Sequence, residues 1–177
     1  MHIFISGAVH TGKTTAIQRS LSLLGQPCLG GFRSVSVPTM LPQAKAEVYV
    51  IPAQQPPCYD RDHLLGIRWG DDLFTSFPQA FERGGLSILQ NCPAEASLLL
   101  MDELGMMEEK APSFCREVLT LLDGSIPILG VIKPKAIPFL DAVRSHPRVA
   151  LLELLPENRD QLPFRISELL RPWVKGS

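Results

Sequence analysis

Apolar residues in this chain of 177 fall into short continuous runs, separated by segments in which they recur at helical spacing. Ile3, Phe4 and Ile5 form the first run, as in a parallel strand buried on both faces. Residues 14–24 then carry apolar positions at helical spacing and meet Gly25, which predicts a helix that stops there. Residues 30–37 read as a second strand, entered through Gly30 and Gly31. Ala46, Val48 and Val50 alternate with Glu47, Tyr49 and Ile51, the pattern of a half-exposed strand. Pro38 and Pro42 lie between these two strands and point to a hairpin or meander.

Residues 52–72 are the least regular part, with the breaker run Gln54-Gln55-Pro56-Pro57 followed by polar Asp60, Arg61, Asp62 and His63. Phe74, Phe77, Ala80 and Phe81 have helical spacing, and Gly84-Gly85 predict a bend or restart of that helix. Leu98, Leu99, Leu100 and Met101 form a buried run that ends in Asp102 and Glu103. A helix is expected from Pro112, with Phe114, Val118, Leu119 and Leu122 on its apolar face and Gly124 at its end. Residues 126–132 are another buried strand, followed by Lys133 and Lys135. A short helix over 136–146, a last strand over 149–154 and a final helix through Leu162, Ile166 and Leu170 complete the chain. This alternation predicts one α/β domain: a mostly parallel central sheet with helices on both faces.

The loop between the first strand and helix carries the chemistry. Gly7-Ala8-Val9-His10-Thr11-Gly12-Lys13-Thr14 matches G-x-x-x-x-G-K-[ST] position for position, and Thr15 follows. Glycines allow successive N–H groups to turn inward as a nest for phosphate oxygens, and the helix N-terminus adds partial positive charge. Lys13 supplies a mobile charge for the β- and γ-phosphates, and the Thr14 hydroxyl is placed to ligate Mg²⁺. His10 stands where the motif leaves the residue open: its side chain touches phosphate, or the residue contributes backbone alone. The whole stretch from Gly7 to Thr15 is assigned to a nucleoside triphosphate. Asp102, ending a buried strand, is the second expected magnesium ligand, and Glu103 is the expected base that orients or deprotonates water. In a parallel sheet, loops leaving the C-terminal ends of strands face the ligand. Asn158 and Arg159 are therefore expected beside the base or ribose, and Lys133 on the ligand side of its strand.

Composition sets limits around this reading. A net charge of −1 gives no general pull toward nucleic acid or anionic membrane. No apolar run approaches the ~20 residues of a membrane span. Cys28, Cys58, Cys92 and Cys115 form no C-x-x-C pair, which points away from zinc and redox roles and toward free thiols in a reducing cytoplasm. A cleaved leader is not expected either, because the phosphate loop begins at Gly7.

Three motifs together resemble the small P-loop nucleoside-triphosphatases known from thermophiles, a family with a human member. They are Gly12-Lys13-Thr14-Thr15, Gly31-Phe32, and Asp102-Glu103-Leu104-Gly105-Met106-Met107-Glu108. The resemblance extends to a lysine–proline segment and to Glu157-Asn158-Arg159 near the C-terminus. It implies a RecA-like fold of three layers and slow, Mg²⁺-dependent hydrolysis of several nucleoside triphosphates. Two positions depart from the family. Met106 stands where it has a lysine, and Val35, Ser36 and Pro38 replace its polar residues. Lys133 is the expected substitute for the missing cation. A small-molecule kinase and a nucleotide-dependent switch are the other readings. The first wants an arginine-rich lid and the second an Asn-Lys-x-Asp motif, and the chain has neither.

Overall fold

The structure is a computed structural model that describes residues 1–8, 11–70 and 73–174. Val9 and His10, both assigned above to the nucleotide, lie outside the described residues, as do Asp71 and Asp72. Strands β1 (His2–Ser6), β2 (Leu29–Val37), β3 (Ala46–Pro52), β4 (Leu64–Arg68), β5 (Phe74–Ser76), β6 (Leu98–Leu104), β7 (Ile128–Ile132) and β8 (Val149–Glu153) form one sheet in the order β5-β4-β3-β2-β6-β7-β1-β8. From β2 to β8 every ladder is parallel; from β2 outward through β3, β4 and β5 every ladder is antiparallel.

Helices cover both faces, because the parallel strands are apolar on both. Ile3 and Ile5 point to one side with Leu98, Leu100, Leu129 and Val131, where α1 (Lys13–Leu23) and α5 (Leu162–Leu170) pack. Phe4, Leu99, Met101 and Ile132 point to the other, under α2 (Leu86–Gln90), α3 (Pro112–Asp123) and α4 (Pro138–Ser145). Phe32 meets Phe81 and Phe114 there edge to face, and Phe81 and Phe114 tilt against each other, with ring centroids 5.0–6.3 Å apart. Pro112 and Pro138 open their helices at positions where a missing N–H costs nothing.

Three expectations are corrected. The segment expected to be irregular holds β4, so the hairpin of β2 and β3 grows into a meander. Phe74, expected in a helix, lies in β5 instead, and helical backbone begins only near Phe81, with a wide π turn over Phe81–Gly85 leading into α2. At the glycine pair, where a bend or restart is expected, the helical backbone instead runs on from the π turn into α2 without a break. Gly84 is required by close packing: a Cβ there would stand 2.5 Å from the Asp62 carbonyl and 2.7 Å from the His63 ring.

Candidate nucleotide site

The site is built where β1, β6, β7 and β8 end side by side. The chain leaves β1 through Gly7, at φ +150°, where a Cβ would meet the Leu154 carbonyl oxygen at 2.7 Å. It enters α1 through Gly12, at φ +95°, a left-handed conformation that disfavours any other residue. Gly12 brings no capping side chain, so the first N–H groups of α1 are left for an outside acceptor. Lys13 curls back over the loop, its Nζ donating to the carbonyls of Gly7 at 3.1 Å and Ala8 at 2.6 Å. Thr11 Oγ1 donates to the same Ala8 carbonyl at 2.9 Å. Thr14 and Thr15 are exposed on the first turn of α1.

Two strands away, the β6–β7 ladder slips between Met101 and Leu104, so that Asp102 and Glu103 bulge from the pairing while the strand resumes at Leu104. The strand thus runs past the acids rather than stopping at them. Asp102 sits in register beside Arg33 of β2, and among the described residues no hydrogen bond engages its carboxylate. Burial and the neighbouring Glu103 charge push Asp102 up to about 6, against the pull of Lys13 and Arg33. Glu103 Oε1 is paired with Lys133 Nζ at 2.8 Å. Lys133 is anchored by its own backbone: its N–H donates to the Leu104 carbonyl at 2.9 Å, and its carbonyl accepts from Arg144 of α4.

Asn158 is spent on its own loop. Its Nδ2 donates to the Glu153 carbonyl and its Oδ1 accepts the Leu155 N–H, both at 2.9 Å. Arg159 is exposed on that loop, which abuts the phosphate loop through the Leu154 N–H on the Ser6 carbonyl at 2.8 Å. The fold therefore brings Lys13, Asp102, Glu103 and Lys133 to one end of the sheet, with Asn158 and Arg159 at its β8 side.

Glu108 was not foreseen. It lies in the 3₁₀ turn Met107–Lys110, 1% exposed, with Oε1 accepting the Gly105 N–H at 3.0 Å and Oε2 without a partner among the described residues. Burial raises its carboxyl to about 7, partly offset by its backbone hydrogen bonds and by Lys133. The only sequence signal was its place at the end of the Asp102–Glu108 motif.

A glycine-nested helix start facing acids at the end of a non-adjacent parallel strand defines the chain as a P-loop α/β protein. The family model described as NTPase matches residues 2–167, and the chain belongs to that family. Nucleoside-triphosphatase THEP1 of Thermotoga petrophila is 26% identical over 171 residues, covering 97% of this chain and 93% of the relative. THEP1 of Natranaerobius thermophilus is likewise 26% identical, over 182 residues and 94% of each chain. Among solved structures, THEP1 of Aquifex aeolicus superposes with a TM-score of 0.72 at 24% identity, covering 96% of this chain and 99% of that one. The solution structure of a human cancer-related nucleoside triphosphatase gives a TM-score of 0.67 at 24% identity, over 98% and 99%. Both likenesses carry the three-layer fold.

Proposed function

We propose that the protein is a Mg²⁺-dependent hydrolase that cleaves the γ-phosphate of ATP, GTP and other nucleoside triphosphates, with slow turnover. The observation that carries this reading is the Glu103–Lys133 pair at 2.8 Å, set beside Asp102 and across from the Lys13 loop. Thr14 and Asp102 offer a hydroxyl and a carboxylate without other hydrogen-bonding duties among the described residues, hard oxygen donors of the type that Mg²⁺ takes. When bound, Mg²⁺ would neutralise charge on the β- and γ-oxygens.

The chain's own residues supply the rest. Lys13 exchanges the Gly7 and Ala8 carbonyls for phosphate oxygens, joined by the free N–H groups of α1. Glu103 accepts a proton from the water that attacks γ-phosphorus, and the bond to the β-phosphate oxygen breaks to leave a nucleoside diphosphate. Lys133 holds Glu103 in place through their ion pair and lies within reach of charge developing on the γ-oxygens. Met106 supports slow turnover: it is 54% exposed and apolar where relatives of the resembling family have lysine. Loop 156–160 borders the base or ribose, with Arg159 rather than Asn158 free to reach it.

Phosphate release measured across ATP, GTP, CTP and UTP, with and without Mg²⁺, tests this. Glu103→Gln is expected to retain nucleotide affinity and lose hydrolysis by roughly 10²-fold or more. Wild-type turnover in that variant would place the base elsewhere. Nucleoside diphosphate formed only with an added acceptor, and without free phosphate, would mark a kinase instead.

A further inference from the structure

Cys58, Asp60 and His63 converge on the loop that leads into β4, outside the nucleotide site. One donor atom from each lies within 4.8 Å of the other two. Cys58 Sγ donates to Asp60 Oδ2 at 3.0 Å, and His63 Nδ1 pairs with Asp60 Oδ1 at 2.6 Å. We propose that these three side chains form a transition-metal site, with Zn²⁺ as the ion that suits its donors.

The donor set selects the metal. A thiolate, an imidazole and a carboxylate together suit Zn²⁺ and disfavour Mg²⁺ and Ca²⁺, which take oxygen ligands. Tetrahedral zinc wants donor separations of roughly 3.3–3.7 Å, so the two pairs now in hydrogen-bond contact, at 3.0 and 2.6 Å, would open slightly around the ion and leave the fourth position to water. Both protons now held against the Asp60 carboxylate make way for the ion. The Cys58 thiol proton leaves to solvent, the imidazole proton moves from Nδ1 to Nε2, and Zn–S, Zn–O and Zn–N bonds form with no change of oxidation state.

Contacts from outside the triad hold the loop that carries it. Tyr59, between Cys58 and Asp60, packs edge to face on Tyr49 of β3, with ring centroids 5.2 Å apart. The His63 ring is seated over Gly84 by its Cδ2 edge, which turns Nδ1 toward Asp60. The Gly84 N–H donates to the Asp62 carbonyl at 3.1 Å, and Arg83 pairs with the Asp62 carboxylate at 3.0 Å, so the π turn clamps the loop from a second side. Little ordering is therefore left to be done on binding.

The site is separate from the phosphate loop. β4 lies three strands from β6, ~14 Å across the sheet at the usual strand spacing. A metal there would fasten the loop before β4 to the π turn. Titration of the full-length, nucleotide-free protein with Co²⁺, read by sulfur-to-cobalt charge-transfer absorption, and calorimetry with Zn²⁺ test this. One equivalent should bind, undisturbed by excess Mg²⁺. Cys58→Ser should abolish the absorption band, and His63→Gln should weaken Zn²⁺ more than tenfold, while triphosphate affinity stays unchanged in both. Zinc binding of undiminished strength in Cys58→Ser would put the ion on other ligands and overturn the proposal, as would no zinc binding by the wild-type chain.

Discussion

The sheet has two halves that meet at β2, and they are held in different ways. In the parallel half, β7 is buried along its whole length and β1 along all but Ser6. In the antiparallel half, β4 is buried only at Leu65 and Gly66, and every residue of β5 is exposed. Helices on both faces of the first half exclude water and fix the strand ends to within the tolerance of close packing. The second half reaches the core through Val50 and Ile51 of β3 and Leu65 of β4, and its outer edge at β5 is held largely by ladder hydrogen bonds. Phosphate chemistry needs N–H groups, a lysine and acids fixed relative to one another, and all of these are set on the half that cannot flex. Outside the phosphate site, the loops of the antiparallel half free side chains such as Cys58 and His63 for a separate chemistry.

The largest effect that would break this contrast is on stability. Phe114 is fully buried on α3, against Phe32 of β2 and Phe81 of the π turn. Phe114→Ala should cost ~3–5 kcal/mol of unfolding free energy, the scale of a buried aromatic truncated to alanine. Urea unfolding measures it. A loss below about 1 kcal/mol would mean that the parallel half is not the rigid one.

Lys13→Ala comes next and acts on binding alone. Among the described residues its ammonium donates to the Gly7 and Ala8 carbonyls of its own loop, so the fold loses little with it. A triphosphate loses a charge-assisted contact worth at least ~1.5–3 kcal/mol. Calorimetry should show that loss of affinity with an unchanged urea midpoint.

Glu108 sharpens the comparison within the parallel half. Its folded carboxyl titrates at about 7, against an ordinary 4.5. Folding therefore favours its proton. Below pH 4.5 both states hold the proton and nothing is lost. Between 4.5 and 7 the unfolded chain ionises while the folded one does not, so this group's share of stability falls, by something on the order of 3 kcal/mol, and is flat above. Glu108→Gln should abolish that slope in urea unfolding followed from pH 4.5 to 7.5. A variant with the wild-type slope would show that another group carries it.

The parallel half was also the half that could be read from residues. Ile3, Phe4 and Ile5, the glycine loop and the Leu98–Met101 run each declare themselves locally, because strands buried on both faces need unbroken apolar runs. What escaped depends on pairing between distant segments. Glu103 meets Lys133 only because β6 and β7 are neighbours, and the bulge that takes the two acids out of the pairing is a property of their ladder. β4 was missed because five residues with a central glycine carry little periodicity. Phe74, Phe77 and Phe81 imitate a helix across a strand, a turn and a helix start. The Cys58 cluster matches no cysteine template, since its spacing is Cys-x-Asp-x-x-His and its shape comes from contacts with β3 and the π turn.

The smallest effect belongs to the edge of the sheet. Phe74 opens β5, and its ring lies over Gly66 of β4, so close that a Cβ there would stand 2.4 Å from Phe74 Cζ. Register places Gly66 against Ser76 and Phe74 against Arg68, so the ring reaches diagonally across the ladder. Such a cross-strand contact on an exposed face is worth ~0.2–1 kcal/mol. Phe74→Ala should lower the unfolding free energy by no more than that, and leave phosphate release unchanged, because β5 is four strands from the acids of β6. Urea unfolding and the phosphate assay on one preparation read both quantities. A large loss of activity with little loss of stability would show that the exposed edge takes part in the reaction, and that the division between a rigid working half and a loosely covered extension is wrong.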